Sequence, residues 1–384
     1  MAGHYNREQY LAEMRRRQKR KRKIVISICA VCVLVVGVFA FNSLSKKPAV
    51  DVVEESSEEN LQATEVKTDT KTQSTEESDD IVITLFGDEN TLVLKGEEYI
   101  ESGAHAVDSV NKVNISNIAI TGSVDTSKTG DYEVKYTATT DSGKTKTATR
   151  KVSVVDSFDG GNAAAIPVLM YHYVYDSTNK PDEVDNNWIE ASLLRQEVQW
   201  TKEQNFYYPS YEELVAFVNG KKSLPNKSVI FTFDDGKPEF LQSGLPIFEE
   251  LKVPATSFII CNNEDAKDKV FNNPSKYVQY QSHSYAMHQA GSNVGRGGRI
   301  HACSFDEILQ DQNTAVELLG NKQAYAYPFG DNNETAQSAL AQAGVECAFT
   351  IENRMIKAGD NTMALPRVRI NGSYDLETFK SLIS

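Results

Sequence analysis

The chain has 384 residues, enough for two or three domains, and its 40% hydrophobic content is ordinary for globular protein. A formal net charge of −13 argues against a nucleic-acid partner, and the five cysteines are too few and too scattered for a disulfide framework. The one dense basic run, "RRRQKRKRK" at residues 15–23, stands directly before an apolar run, "IVISICAVCVLVVGVFAF", at residues 24–41. That order predicts a single transmembrane helix over 24–41, with residues 1–23 cytoplasmic and the remainder extracellular at the cell membrane. No small-x-small cleavage site follows, so an uncleaved anchor is expected rather than a signal peptide. Cys29 and Cys32 fall inside this run, while Cys261, Cys303 and Cys347 are expected to be buried thiols.

Residues 42–80 are acidic and rich in Ser and Thr, and from residue 48 they contain no aromatic side chain. Such a segment cannot bury enough apolar area to offset its ordering entropy, so a disordered linker is expected. Residues 81–156 change to period-2 alternation, as in "DYEVKYTATT", where Tyr132, Val134 and Tyr136 share a face. Turn signals such as "DSGK" separate the runs, the pattern of a small β-sandwich. The stretches "KGEEYIESGAHAVD", "GSVDTSKTGDYEVKYTATTDSGK" and "TRKVSVVD" resemble bacterial immunoglobulin-like modules of surface proteins. The resemblance implies a spacer, with His105 on its surface.

Residues 157–165, "SFDGGNAAA", read as a linker. Over 166–384 apolar β-rich runs alternate with helical patterns, from "AIPVLMYH" and "SLLRQEVQWTKEQN" through "SVIFTF" and "PATSFII" to "ALPRVRI". Repeated βα units imply a mostly parallel sheet, open or closed into a barrel, with active groups at the carboxyl ends of its strands. In "FTFDDG" the apolar run ends on two acids, Asp234 and Asp235, whose side chains must diverge because residues alternate along a strand. Four of the six histidines, His172, His283, His288 and His301, lie in the same segment. Asp235, His283 and His288 would hold a divalent ion and leave positions open for water and substrate. Residues five apart on an α-helix point about 140° away from each other, so "HSYAMH" must be a turn for both imidazoles to converge.

With "IPVLMYHYV", "FTFDDG", "SHSYAMH" and "AYAYPFGD" in this order, the segment resembles the NodB-homology polysaccharide deacetylases, carbohydrate esterase family four. The resemblance implies a distorted β/α barrel that removes N-acetyl groups from N-acetylglucosamine units of peptidoglycan, chitin-like chains or poly-N-acetylglucosamine. It also implies roles: Asp234 as general base, Asp235, His283 and His288 as metal ligands, and the Phe329 backbone N–H at the oxyanion. Zinc is the expected metal, with cobalt, nickel or iron(II) as alternatives.

Three departures from the commoner pattern stand out. The histidines are five apart rather than four, as in the poly-N-acetylglucosamine deacetylase branch. Ala326 stands where an arginine orients the base, and Arg367 or Arg369 is the expected replacement. No histidine follows His301, so His172, at the end of the first strand, is expected to serve as the acid, with the Asp234 carboxylate favouring its charged form. His301, after "GRGGR", is expected to be mobile. Trp188, Tyr173, Tyr285 and Phe329 are candidates for stacking on sugar rings. A catalytically silent carbohydrate-binding protein of the same fold is one alternative. A non-haem iron oxygenase, which also uses two histidines and a carboxylate, is the other.

Overall fold

The computed structural model describes residues 77–178 and 180–384. The expected membrane helix and nearly all of the acidic linker lie outside these residues. Among the described residues no helix is long and apolar enough to cross a membrane.

The first domain is a β-sandwich. One sheet joins β1 (Ile81–Leu85), β3 (Ala104–Asp108) and β4 (Val113–Ile115), and the other has the order β2 (Asn90–Leu94), β7 (Thr145–Val155), β6 (Gly130–Thr139), β5 (Ile118–Thr121). Val134, Tyr136 and Ala138 of β6 are buried while their neighbours face out, the alternation that period 2 demands. The domain starts a little before β1, since the Ser78 N–H donates to the Thr145 carbonyl at 2.8 Å.

The sandwich also encloses a fully buried arginine, Arg150, which donates to Tyr136 Oη (3.0 Å), Thr91 Oγ1 (3.2 Å) and the Phe86 carbonyl (2.8 Å). These bonds satisfy a charge that burial would otherwise penalise by several kcal/mol, on the order given for unpaired ions. They also fix the turn at Gly87, where φ is +70° and a Cβ would meet the Ser210 nitrogen at 2.6 Å.

That close approach belongs to a contact between the sandwich and the following domain. Across it, Thr84 Oγ1 donates to the Ser275 carbonyl (2.6 Å) and the Asp88 N–H to Tyr208 O (2.7 Å). Asn114 Nδ2 donates to Leu318 O (3.0 Å), the Ser223 N–H to Glu97 Oε2 (3.0 Å) and Lys222 Nζ to Leu92 O (3.1 Å). Lys222 also lies 3.4 Å from the Glu213 carboxylate, and both side chains are wholly buried. His105, expected on the surface, is buried here against Asn114 Oδ1 at 3.0 Å, and burial lowers its pKa to about 4. Residues 157–165 are likewise pinned down, with Phe158 buried and the Ala163 N–H donating to Leu224 O at 2.8 Å.

The second domain has a seven-stranded parallel sheet of order β15 (Cys347–Phe349), β14 (Ala324–Ala326), β13 (Val278–Ser282), β12 (Ala255–Ile259), β11 (Ile230–Phe233), β8 (Val168–Tyr171), β16 (Val368–Arg369). Its two edges meet irregularly. The Leu365 N–H donates to Ala348 O and the Thr350 N–H to Leu365 O, both at 2.8 Å, so the segment leading into β16 bridges the end of β15. This is the geometry of a distorted β/α barrel.

Helices α1 (Ala191–Glu203), α2 (Tyr211–Val218), α3 (Leu245–Leu251), α4 (Ala266–Asn272), α5 (Phe305–Leu319), α6 (Glu334–Gln342) and α7 (Leu376–Ile383) accompany the strands. Ser210 and Ser304 start α2 and α5 with capping boxes closed by Glu213 and Glu307. A short parallel pair, β9 (Tyr173–Tyr175) and β10 (Trp188–Glu190), stands beside the end of β8. Among the described residues, the barrel partners in these hydrogen bonds to the sandwich, Ser275, Tyr208, Leu318, Ser223 and Lys222, lie in segments that lead into strands, at the amino-terminal end of the barrel. Cys261 and Cys347 are buried free thiols as expected, and Cys303 is partly exposed.

Candidate active site

Strand β11 delivers its two acids to different partners. Thr232 and Asp234 face the barrel interior while Phe231 and Phe233 pack outward, against Phe248. Arg367 meets Asp234 there with two parallel bonds, Nη1 to Oδ1 and Nη2 to Oδ2, each 2.7 Å. Its remaining donors go to Thr232 Oγ1 (3.1 Å) and the Thr350 carbonyl (3.2 Å). The guanidinium carbon lies 5.8 Å from the Phe258 ring centroid and 5.9 Å from that of Phe349. Burial would raise the Asp234 carboxyl, but the Arg367 charge and its hydrogen bonds overcome it and hold the group ionised below its ordinary value. Arg369, the other candidate, turns to Asn187 Oδ1 at 2.6 Å.

One residue later the chain enters the left-handed region, with Asp235 at φ +72° and Gly236 at φ +59°. Asp tolerates this conformation better than bulkier residues. The Asp235 Oδ1 atom then stands 3.4 Å from His283 Nε2 and 3.2 Å from His288 Nε2. The two imidazoles converge because "HSYAMH" is not helical: Ser284 has φ +72°, and the Asp311 carboxylate of α5 caps the turn, accepting from the N–H groups of Tyr285 (2.8 Å) and Ala286 (2.7 Å). His283 Nδ1 donates to the Ala326 carbonyl at 2.7 Å, which turns Nε2 towards Asp235 Oδ1.

Asp235, His283 and His288 are the one group of three or more His, Cys, Asp or Glu side chains among the described residues able to share a metal ion. Two atoms held roughly 2.0–2.1 Å from one ion at a tetrahedral angle lie about 3.3 Å apart, close to both separations seen here. The electrostatics agree. Burial would lower the His283 imidazole and raise the Asp235 carboxyl, yet their mutual bond, with His288 and Tyr173 also bonding Asp235, reverses both directions. The cluster therefore favours positive charge between its members, and the residues present fit a divalent ion.

His172 lies at the carboxyl end of β8, beside Asp234, whose N–H donates to the Tyr171 carbonyl at 3.0 Å. Its imidazole is lowered below the ordinary value. Asp234 and Asp235 favour its charged form, as expected of Asp234, but burial outweighs both. Phe329 has φ +61° in the turn after β14 and stacks its half-exposed ring 4.7 Å from that of His288. Trp188 packs 4.8 Å from Tyr173, and Tyr285 packs into the core. His301 is not loose. It lies in a short turn with Nε2 3.8 Å from the buried Asp331 carboxylate, which also accepts from the Arg296 and Gly298 N–H groups. The sequence gives no cue for Asp311, Asp331, or the Tyr173 hydroxyl, which donates to Asp235 Oδ2 at 2.6 Å.

Comparison with known families places a bacterial surface protein Ig-like domain at residues 83–154 and a polysaccharide deacetylase domain at residues 221–348. The latter match contains the triad and Asp234 but neither His172 nor Arg367. Among curated proteins, the chain is similar to the poly-beta-1,6-N-acetyl-D-glucosamine N-deacetylase of Staphylococcus aureus strain MRSA252, with 22% identity covering 49% of this chain and 70% of that protein. The enzyme of the same name from Staphylococcus epidermidis is 20% identical over 52% of this chain and 73% of its own. Among solved structures, Streptococcus pyogenes deacetylase PplD in complex with acetate aligns with a TM-score of 0.49 and 21% identity, covering 58% of this chain and 99% of that one. The chain thus carries a polysaccharide deacetylase domain, which holds the triad and Asp234, with an Ig-like domain of bacterial surface proteins in front of it.

Proposed function

We propose that the chain hydrolyses the N-acetyl groups of N-acetylglucosamine units in a surface polysaccharide, using a divalent ion, zinc first, held by Asp235, His283 and His288. The observation that carries this reading is the pairing of a three-ligand cluster with an adjacent carboxylate kept ionised by Arg367. Bound there, an ion supplies Lewis acidity, polarising an amide carbonyl and acidifying a water enough for a weakly basic carboxylate to deprotonate it. Asp234 takes that proton, and Arg367 keeps its oxygens oriented. His172, on the neighbouring strand end, delivers a proton to the departing nitrogen, which cannot leave as an amine anion. The Phe329 N–H donates to the carbonyl oxygen as charge develops on it.

The names of the similar staphylococcal enzymes favour poly-N-acetylglucosamine over peptidoglycan. The basic and apolar runs at residues 15–41, with the Ig-like domain, support an anchored protein whose catalytic domain is extracellular. The test is acetate release from poly-N-acetylglucosamine, chitooligosaccharides and acetylated peptidoglycan. Release from the first, lost on chelation and in Asp234→Asn, is expected. No release from any of the three would favour the silent carbohydrate-binding alternative.

A further inference from the structure

We propose that Tyr173 is a positioning residue joining the two halves of this site: its hydroxyl keeps Asp235 to one-oxygen ligation while its ring, with Trp188, walls the sugar-binding cleft. The inference rests on the metal-dependent reading above and deepens it. Oδ1 of Asp235 faces both imidazoles, and Oδ2 is occupied by the Tyr173 hydroxyl at 2.6 Å. Freed of that bond, the carboxylate can rotate and chelate through both oxygens. It would then take a position that water or the substrate carbonyl needs, and the ligand would lose its fixed direction.

The hydroxyl is itself held in place. Tyr173 is paired with Trp188 in the β9–β10 register, and their ring centroids lie 4.8 Å apart at a tilt of 55°. The Tyr173 N–H donates to the Asn187 carbonyl at 3.0 Å, and Asn187 is tied by its side chain to Arg369 at 2.6 Å. Lys237 Nζ, two residues beyond Asp235, stands 5.8 Å from the centroid of the Tyr173 ring. The ring is only partly buried, and it ends in the oxygen that bonds the metal ligand. A glycan resting on Tyr173 and Trp188 therefore presses on the same side chain that fixes Asp235.

The experiment uses the full chain, with zinc affinity measured by competition with a chelator and a cobalt-loaded sample followed by visible absorption. Tyr173→Phe keeps the ring and removes the bond. It is expected to weaken zinc binding about 10–100-fold, alter the cobalt spectrum and lower kcat, with KM for a soluble oligosaccharide within about twofold. Trp188→Ala keeps the bond but loosens the ring, and is expected to raise KM several-fold with a smaller loss of zinc affinity than Tyr173→Phe. Wild-type zinc affinity and an unchanged cobalt spectrum in Tyr173→Phe would overturn the proposal while leaving the ligand assignment intact. Undiminished zinc binding in Asp235→Ala would overturn the ligand assignment, and this proposal with it.

Discussion

Arg367 is fully buried, and two of its side-chain bonds go to one carboxylate, that of Asp234. Truncating one partner of a buried ion pair strands the other charge, so Arg367→Ala should destabilise the fold by about 3–5 kcal/mol in denaturant titration. Arg367→Lys should recover part of that stability but little activity, because an ammonium cannot bond both Asp234 oxygens in the same plane. The pair's contribution has a definite sign with pH. Asp234 is lowered in the fold, so the stability it confers is fully present above the unfolded carboxyl value of about 3.9 and is lost as pH falls through the lower folded value. Equal acid sensitivity in wild type and Arg367→Ala would contradict this account.

At the scale of elements, the site is built where strands stop. Asp235, Ser284 and Phe329 all have positive φ, and each lies just beyond a strand of the barrel, β11, β13 or β14. Such turns store modest strain and re-aim a side chain that strand geometry alone would send elsewhere. Gly236 is the hinge of the first turn. A Cβ there would lie 2.5 Å from Ile259 Cδ1 and 3.2 Å from its Cα, at a φ that already disfavours Ala. Gly236→Ala should cost more than about 1 kcal/mol and displace Asp235, read as weaker zinc binding together with a lower unfolding midpoint.

Much of this was legible in the sequence, since paired acids closing an apolar run mark a strand end and a five-residue histidine spacing rules out a helix. The long-range partners were legible only in part, with Arg367 and Arg369 left as alternatives for Asp234. Arg367 stands 133 residues from Asp234, and only closure of the sheet through Leu365 brings them together. Asp311 looks like any helix-surface acid until its turn is in place. His105 reads as exposed because its burial is decided by the packing around it, not by local pattern.

For the whole molecule, the Ig-like domain is bound to the barrel rather than strung before it. Five cross-domain hydrogen bonds at roughly 1 kcal/mol each suggest that a chain beginning at Ser157 should melt on the order of 10 °C lower in calorimetry. None of the five comes from the strand ends that carry the site, so the shortened chain should keep turnover on a short oligosaccharide. An unchanged midpoint would restore the view of this domain as a spacer. A groove of about 620 Å³ between the two domains, lined by Asp88, Tyr208, Lys252 and Tyr277, lies on the same side as these bonds, away from the triad.

Docking and chemistry thus occupy opposite ends of strands four or five residues long, roughly 15 Å apart. Changes at sites so separated, with no shared partners, add independently in free energy. The loops around the mouth can lengthen, shorten or be exchanged without loosening the grip on the Ig-like domain, and that grip can be strengthened without retuning the mouth. Adaptation to a new polymer and adaptation to a harsher environment therefore draw on separate sets of residues in this chain.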